Sequence, residues 1–333
     1  GGGLALTITG NASIGGAITN VTTLSVSGTT SLGANVTTTG TQTYSGAVTV
    51  TGSGVTRTLT AGSGGITFSS TVDSSASNAN SLTFGSGTGN VLFTGAVGSA
   101  SNGALGTITN ITGETLTFSD AVSASAIANY GTLLFNASSA KTVTPNISDN
   151  GTTTVQVINS ADGAPGVITF TGTVAADTIT IGSSTKGGSA LFNGAVSASG
   201  TTINIVGGDV NTENSLGNFA NTVTVTGITL SDNTGTATAQ FSGSSKTITG
   251  TIDGSAANKG TVNVTGTGST TFVSAIGASY RPSQLTIGGT TIFQSAVKTT
   301  GLTTTAAISS GTTLDVSGTT SLGANVTTTG TQT

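Results

Sequence analysis

The chain has 333 residues, a net charge of −4 and only 5% charged residues, with no Cys, Met, Trp or His. Seven basic residues cannot supply the clustered Lys and Arg that nucleic acid or an anionic membrane surface requires, and the lack of Cys excludes disulfides and thiolate metal sites. Thr is the commonest residue, ahead of the 52 glycines, and the shortage of Leu, Lys, Glu and Arg points to strands in place of amphipathic helices.

Along the chain, the first charged residue is Arg57. The uncharged stretch before it is broken by Thr, Ser, Asn and Gly long before the ~20 apolar residues of a membrane helix, so this segment is not expected to enter a membrane. Gly1-Gly-Gly-Leu-Ala-Leu has neither the charged start nor the apolar segment of a signal peptide, and reads as an interior cut in a longer chain.

From Tyr44 onward a five-residue phrase recurs: an aromatic, any residue, a small or turn-forming residue, Ala or Thr, then Val or Ile. It starts at Tyr44, Phe68, Phe93, Phe118, Phe170, Phe192, Phe219, Phe272 and Phe293. Most successive starts are nearly evenly spaced, while the steps from Phe118 to Phe170 and from Phe219 to Phe272 are about twice as long. With those two double gaps read as one degenerate copy each, the period is about 25, the signature of a solenoid or repeat array.

Residues two apart share a strand face. Ile66-Thr-Phe68, Val91-Leu-Phe93, Leu116-Thr-Phe118 and Ile168-Thr-Phe170 therefore point an apolar pair inward. The small residue after the aromatic allows a corner, and Val or Ile resumes the inward row. Further short strands are predicted at Leu24–Val26, Ile179–Ile181, Ile203–Ile205, Val262–Val264, Leu285–Ile287 and Leu314–Val316. One such step cannot bury its apolar face, so successive steps must stack.

The fold predicted is all-β: a right-handed parallel β-helix of about 13 rungs with about 25 residues per rung, running through residues 1–333 as one continuous segment. The nine phrase aromatics form its internal ladder, with Phe68, Phe93 and Phe118 one above another. The alternative is a string of β-sandwich domains, which would show no persistent 25-residue phrase. Pro145, Pro165 and Pro282 are expected at corners or protrusions, since Pro lacks a ladder donor, and Tyr130 and Tyr280 on turns.

A second, longer repeat spans the chain. Leu314–Thr333 reads LDVSGTTSLGANVTTTGTQT and Leu24–Thr43 reads LSVSGTTSLGANVTTTGTQT, differing only at Ser25 and Asp315, 290 residues apart. The segment therefore reads as a window of a longer tandem array.

No catalytic constellation emerges. Without His or Cys, the usual general base and two common nucleophile systems are missing. Glu114, Glu213 and the Asp residues are scattered, with Glu114 and Asp120 the nearest pair, and they read as solvated turn residues. Asp149-Asn-Gly151, Asp162-Gly163, Asp232-Asn233 and Asp253-Gly254 are turn sequences. Calcium could use such oxygens, but the glycine-aspartate nonapeptide of calcium-loaded β-rolls is missing, so no cofactor is expected. Thr178-Ile-Thr180, Thr222-Val-Thr224 and Thr247-Ile-Thr249 fit the threonine pattern of an ice-binding face locally, but their phase against the aromatic phrase drifts. The chain is read as no enzyme.

The segment GTTSLGANVTTTGTQTYSGAVTVTG (Gly28 to Gly52), with the later GGITFSSTVD and VLFTGAVGS, resembles the repeat regions of large bacterial filamentous-haemagglutinin-like exoproteins and autotransporter passengers. That resemblance implies a right-handed β-helix exported to the surface of a Gram-negative bacterium, working as an adhesin, stalk or extracellular fibre. No catalytic or binding residues carry over. The function expected is a structural shaft or fibre-forming region that self-associates end to end, with a surface-layer lattice protein or a glycan- or ice-binding solenoid as alternatives. Its target on a host or environmental surface is not specified.

Overall fold

The computed structural model describes residues 3–99, 103–159, 166–197, 200, 202–310 and 312–333. Among them there is no helix, and the chain forms an all-β parallel β-solenoid of about 11 turns with roughly 23 residues each. Its contacts divide into two compact units, residues 1–137 with 141–155, and residues 138–140 with 156–333.

The first unit shows how alternation becomes a core. Gln42–Tyr44 pairs with Ile66–Phe68, which pairs with Val91–Phe93, then with Thr115–Phe118, then with Thr132–Ala137, all parallel and in register. Parallel register places like above like. Ile66, Val91, Leu116 and Leu133 form one buried column, while Tyr44, Phe68, Phe93, Phe118 and Phe135 form the next. The residues between them, such as Thr43, Thr67 and Thr117, face outward. A second face carries Ala12, Thr30, Val48 and Val72 in register, beside Ile14, Leu32 and Val50. A third carries Leu82, Ile108, Ile127 and Ile147.

The second unit repeats the scheme. Phe170, Phe192, Phe219, Phe241, Val264 and Ile287 make one column. Val196, Val223, Ile248, Phe272 and Phe293 make another, and Ile179, Ile203, Ile228 and Ile252 a third.

Corners explain the small residue in the phrase, because each corner lies directly on the one below. A Cβ added to Gly194 would sit 2.0 Å from the Gly172 carbonyl oxygen, and one on Gly46 would sit 2.4 Å from that of Gly28. Pro145 occupies a bend between Lys141–Val143 and Asn146–Asp149, and Pro282 lies just before Gln284–Ile287, where no ladder donor is needed. Pro165 lies outside the described residues.

The structure has about 11 turns of roughly 23 residues where the aromatic spacing suggests 13 rungs of 25, and turn length is not constant. Thr30 meets Val48 and Leu116 meets Leu133 across short turns. Val91 meets Leu116 and Ser189 meets Leu216 across turns that take up far more chain. The aromatic phrase marks mainly the long turns. Pairing is set by the strands, and the loops between them absorb the difference.

Candidate functional site

The ladder residues are placed as follows. Tyr44, Phe68, Phe93 and Phe118 are fully buried, with successive ring centroids 5.1, 4.9 and 5.0 Å apart and nearly parallel planes. In the second unit Phe170, Phe192 and Phe219 stack at 5.0 and 5.2 Å, and Phe272 stacks on Phe293 at 5.3 Å. Two members lack the full phrase. Phe135 stacks on Phe118 at 5.4 Å and Phe241 on Phe219 at 5.6 Å, each within a double gap of the aromatic spacing.

The ladder also changes face. Phe241 meets Phe272 edge-on, at 5.1 Å and 89°, because Phe272 is in register with Ile248 and not with Phe241. The phrase at Phe219 spans the phenylalanine and Val223 columns, whereas the phrase at Phe272 begins one column later and ends at Ile276, which pairs with Ile252. The phrase encodes strand, corner, strand. It does not encode which corner.

The outward threonines occupy different columns. Thr178-Ile-Thr180 lies beside Thr202-Ile-Asn204, which in turn lies beside Gly227-Ile-Thr229. Val223 and Thr224 lie beside Ile248 and Thr249 on the preceding face.

The buried polar groups were not foreseen from sequence. Gln42 is fully buried, its Nε2 donating to the Thr60 carbonyl at 2.8 Å and its Oε1 accepting from Tyr44 Oη at 3.0 Å. Burial pushes the Tyr44 phenol well above its ordinary range. Lys246 is buried as well; its Nζ donates to the carbonyls of Ser242 and Ser244, and desolvation lowers its pKa.

Glu114 and Glu213 are not solvated turn residues as the sequence suggests, being only 3% and 5% exposed. Both close tight turns whose other residues are mostly small and polar, and composition alone gives no inward signal. Glu114 does not pair with Asp120. Asp120 lies 2.7 Å from Lys141 Nζ. Desolvation would raise the Asp120 carboxyl, but the hydrogen bonds from Lys141 and the Ala121 N–H and the Lys141 charge hold it below the usual range.

The turn aspartates bind backbone. Asp149 Oδ1 accepts from Gly151 N–H and Thr153 Oγ1. Asp232 accepts from the N–H groups of Ala237 and Gly260 at 2.6 and 2.7 Å, and Asp253 from those of Ser279 and Tyr280. Asp162 lies outside the described residues. Among the described residues no three of His, Cys, Asp and Glu gather closely enough to hold a metal ion, and no helix is long and apolar enough to cross a membrane.

The described strands form a repeating surface. Each turn presents backbone edges and apolar columns to the next, with hydroxyl and amide groups outside. No protein-family model, curated protein or solved structure matches the chain.

Proposed function

We propose that this chain is a structural segment of an extracellular bacterial surface protein, the shaft or fibre-forming region of a filamentous-haemagglutinin-like adhesin, extended by further turns of its own kind. The carrying observation is the behaviour of the two 20-residue copies. Thr30–Leu32 and Val36–Thr38 in the first are strands, as are Thr320–Leu322 and Val326–Thr328 in the second. Side-chain bonds recur too. Thr38 Oγ1 donates to the Gly40 carbonyl at 2.8 Å, and Thr328 Oγ1 to that of Gly330 at 3.0 Å. Gln42 Nε2 reaches Thr38 Oγ1, and Gln332 Nε2 reaches Thr328 Oγ1.

The first copy is covered by Val48–Val50 and Ile66–Phe68. The second offers the same side chains in Thr320–Leu322 and Val326–Thr328. Identical strand sequences can take identical partners, so a turn like Tyr44–Val50 would pair with the second copy as it does with the first, from the same chain or a second one. The role is mechanical and adhesive, not catalytic.

The test is a chain carrying residues 24–313 two and three times in tandem, imaged by electron microscopy. Particle length should rise by a constant step with each added copy. Separate particles joined by slack linkers, or a length independent of copy number, would overturn the reading.

A further inference from the structure

The chain contains two glutamates, one in each unit, and both occupy the same kind of turn. Glu114 N–H donates to the Ile111 carbonyl at 3.3 Å just before Thr115–Phe118, and Glu213 N–H to the Val210 carbonyl at 3.0 Å just before Ser215–Phe219. Both are buried. They differ in their company. Lys186 Nζ lies 3.3 Å from Glu213 Oε1, whereas neither carboxyl oxygen of Glu114 has a hydrogen-bond partner among the described residues.

Little around Glu114 can answer a negative charge. The register that pairs Val91 with Leu116 and Leu116 with Leu133 puts Gly89 and Gly131 in the positions on either side of it. Residues 85–90 and 129–132, and the strands Leu105–Thr109 and Ala124–Asn129, contain no Lys or Arg; Tyr130 is their only titratable group, and it is exposed. Asp149, which follows the Asn146–Ser148 stretch packed on Ala126–Ala128, is a like charge already bonded to Thr153. The nearby amide of Asn110 donates to Asn129 Oδ1 and the Thr132 carbonyl. A buried carboxylate without counter-charge or donors favours its neutral form.

We propose that Glu114 is a proton-operated latch of the first unit: neutral, it is held in its glycine-flanked corner; deprotonated, it forces the Ile111–Glu114 turn out of the stack. Desolvation raises its carboxyl from 4.5 to about 7, against a smaller opposing effect of the backbone hydrogen bond with Ile111. The sign follows from proton counting. Between those two values the folded chain keeps a proton that the unfolded chain gives up, so stability falls as pH rises through that window and levels off above it.

The experiment compares the full chain with Glu114→Gln from pH 4 to 9, reading thermal unfolding and hydrogen exchange at the Thr132 amide, which donates to the Glu114 carbonyl. The unaltered chain should lose melting temperature relative to the variant as pH rises from about 4.5 to 7, with Thr132 exchange, corrected for its intrinsic pH dependence, rising in parallel. Carbon-13 labelling of the glutamates should show one carboxyl titrating near 7 that disappears in the variant. A melting difference independent of pH, or a Glu114 carboxyl titrating near 4.5, overturns the latch. If Glu114→Gln does not fold, the carboxyl titration of the unaltered chain decides alone.

Discussion

Arg281 and Asp315 form a two-pronged ion pair, Nη1 donating to Oδ1 at 3.0 Å and Nη2 to Oδ2. Asp315 is the one residue by which the second 20-residue copy departs from the first, where Ser25 stands. The hydrogen bonds from Arg281 hold the Asp315 carboxyl below its usual range. Arg281 Nη1 also reaches the Thr299 and Asp315 carbonyls, and the backbone of its loop is held by Asp253, Gly254 and Asn258. One departure from identity is thus accounted for by one cation.

Asp315→Ser, which restores the residue of the first copy, is expected to cost less than about 1 kcal/mol, since the pair is partly exposed. Its stabilisation is present above the ordinary carboxylate range and lost as pH falls through the depressed value of Asp315. Thermal melts at low and high salt check this. An equal loss at both salt concentrations would show that the charge pair is not what the substitution removes.

Phe93→Ala should destabilise the first unit by roughly 3–5 kcal/mol, because the ring is fully buried between Phe68 and Phe118. Leu92→Ala, at the outward position beside it and 37% exposed, should cost far less. Denaturant melts of the two variants provide the comparison, and similar losses would contradict the assigned faces.

Gly194→Ala puts a methyl 2.0 Å from the Gly172 carbonyl oxygen and should cost about 1–3 kcal/mol as overpacking. Gly15→Ala meets nothing within 4 Å and should stay within about 0.5 kcal/mol of the parent. Chemical denaturation distinguishes them; a neutral Gly194→Ala would mean that the corners can spread at little cost.

Tyr44→Phe leaves the Oε1 of the buried Gln42 without its donor, an expected loss of about 1–3 kcal/mol. The raised phenol of Tyr44 adds a pH signature. Its stabilising effect is complete below the ordinary tyrosine value of about 10 and is lost as pH rises above it. Denaturant melts between about pH 9 and 11 should therefore show a shallower loss of stability with pH in the variant than in the parent, and equal slopes would remove Tyr44 from the cause.

Much of this architecture was legible in the residues. Ile66-Thr-Phe68 states its buried face by alternation alone, and the recurrence of the phrase requires stacking. Turn length was not legible, because Phe118 and Phe135 pair in adjacent turns, closer along the chain than any two phrase aromatics, without a phrase at Phe135 to announce it. Nor was the face change at Phe272, since a strand, corner and strand read the same on any side of the solenoid. Glu114 escaped for another reason. A residue in a tight turn has no alternation to reveal its direction, and only stacking against Gly89 and Gly131 makes the corner an interior.

The variable turns carry a consequence for how such a chain can change. Loops absorb the difference between the short turn from Leu116 to Leu133 and the long one from Ser189 to Leu216, while strand register persists. Insertions and deletions in the exposed loops between strands should thus cost little beyond the slowly growing entropy of a longer loop. A lineage can lengthen one loop into a recognition element, or trim it away, without renegotiating the core. Diversity should accumulate at the corners while the columns stay monotonous, and foreign epitopes spliced between strands should be displayed at the height of the turn that receives them.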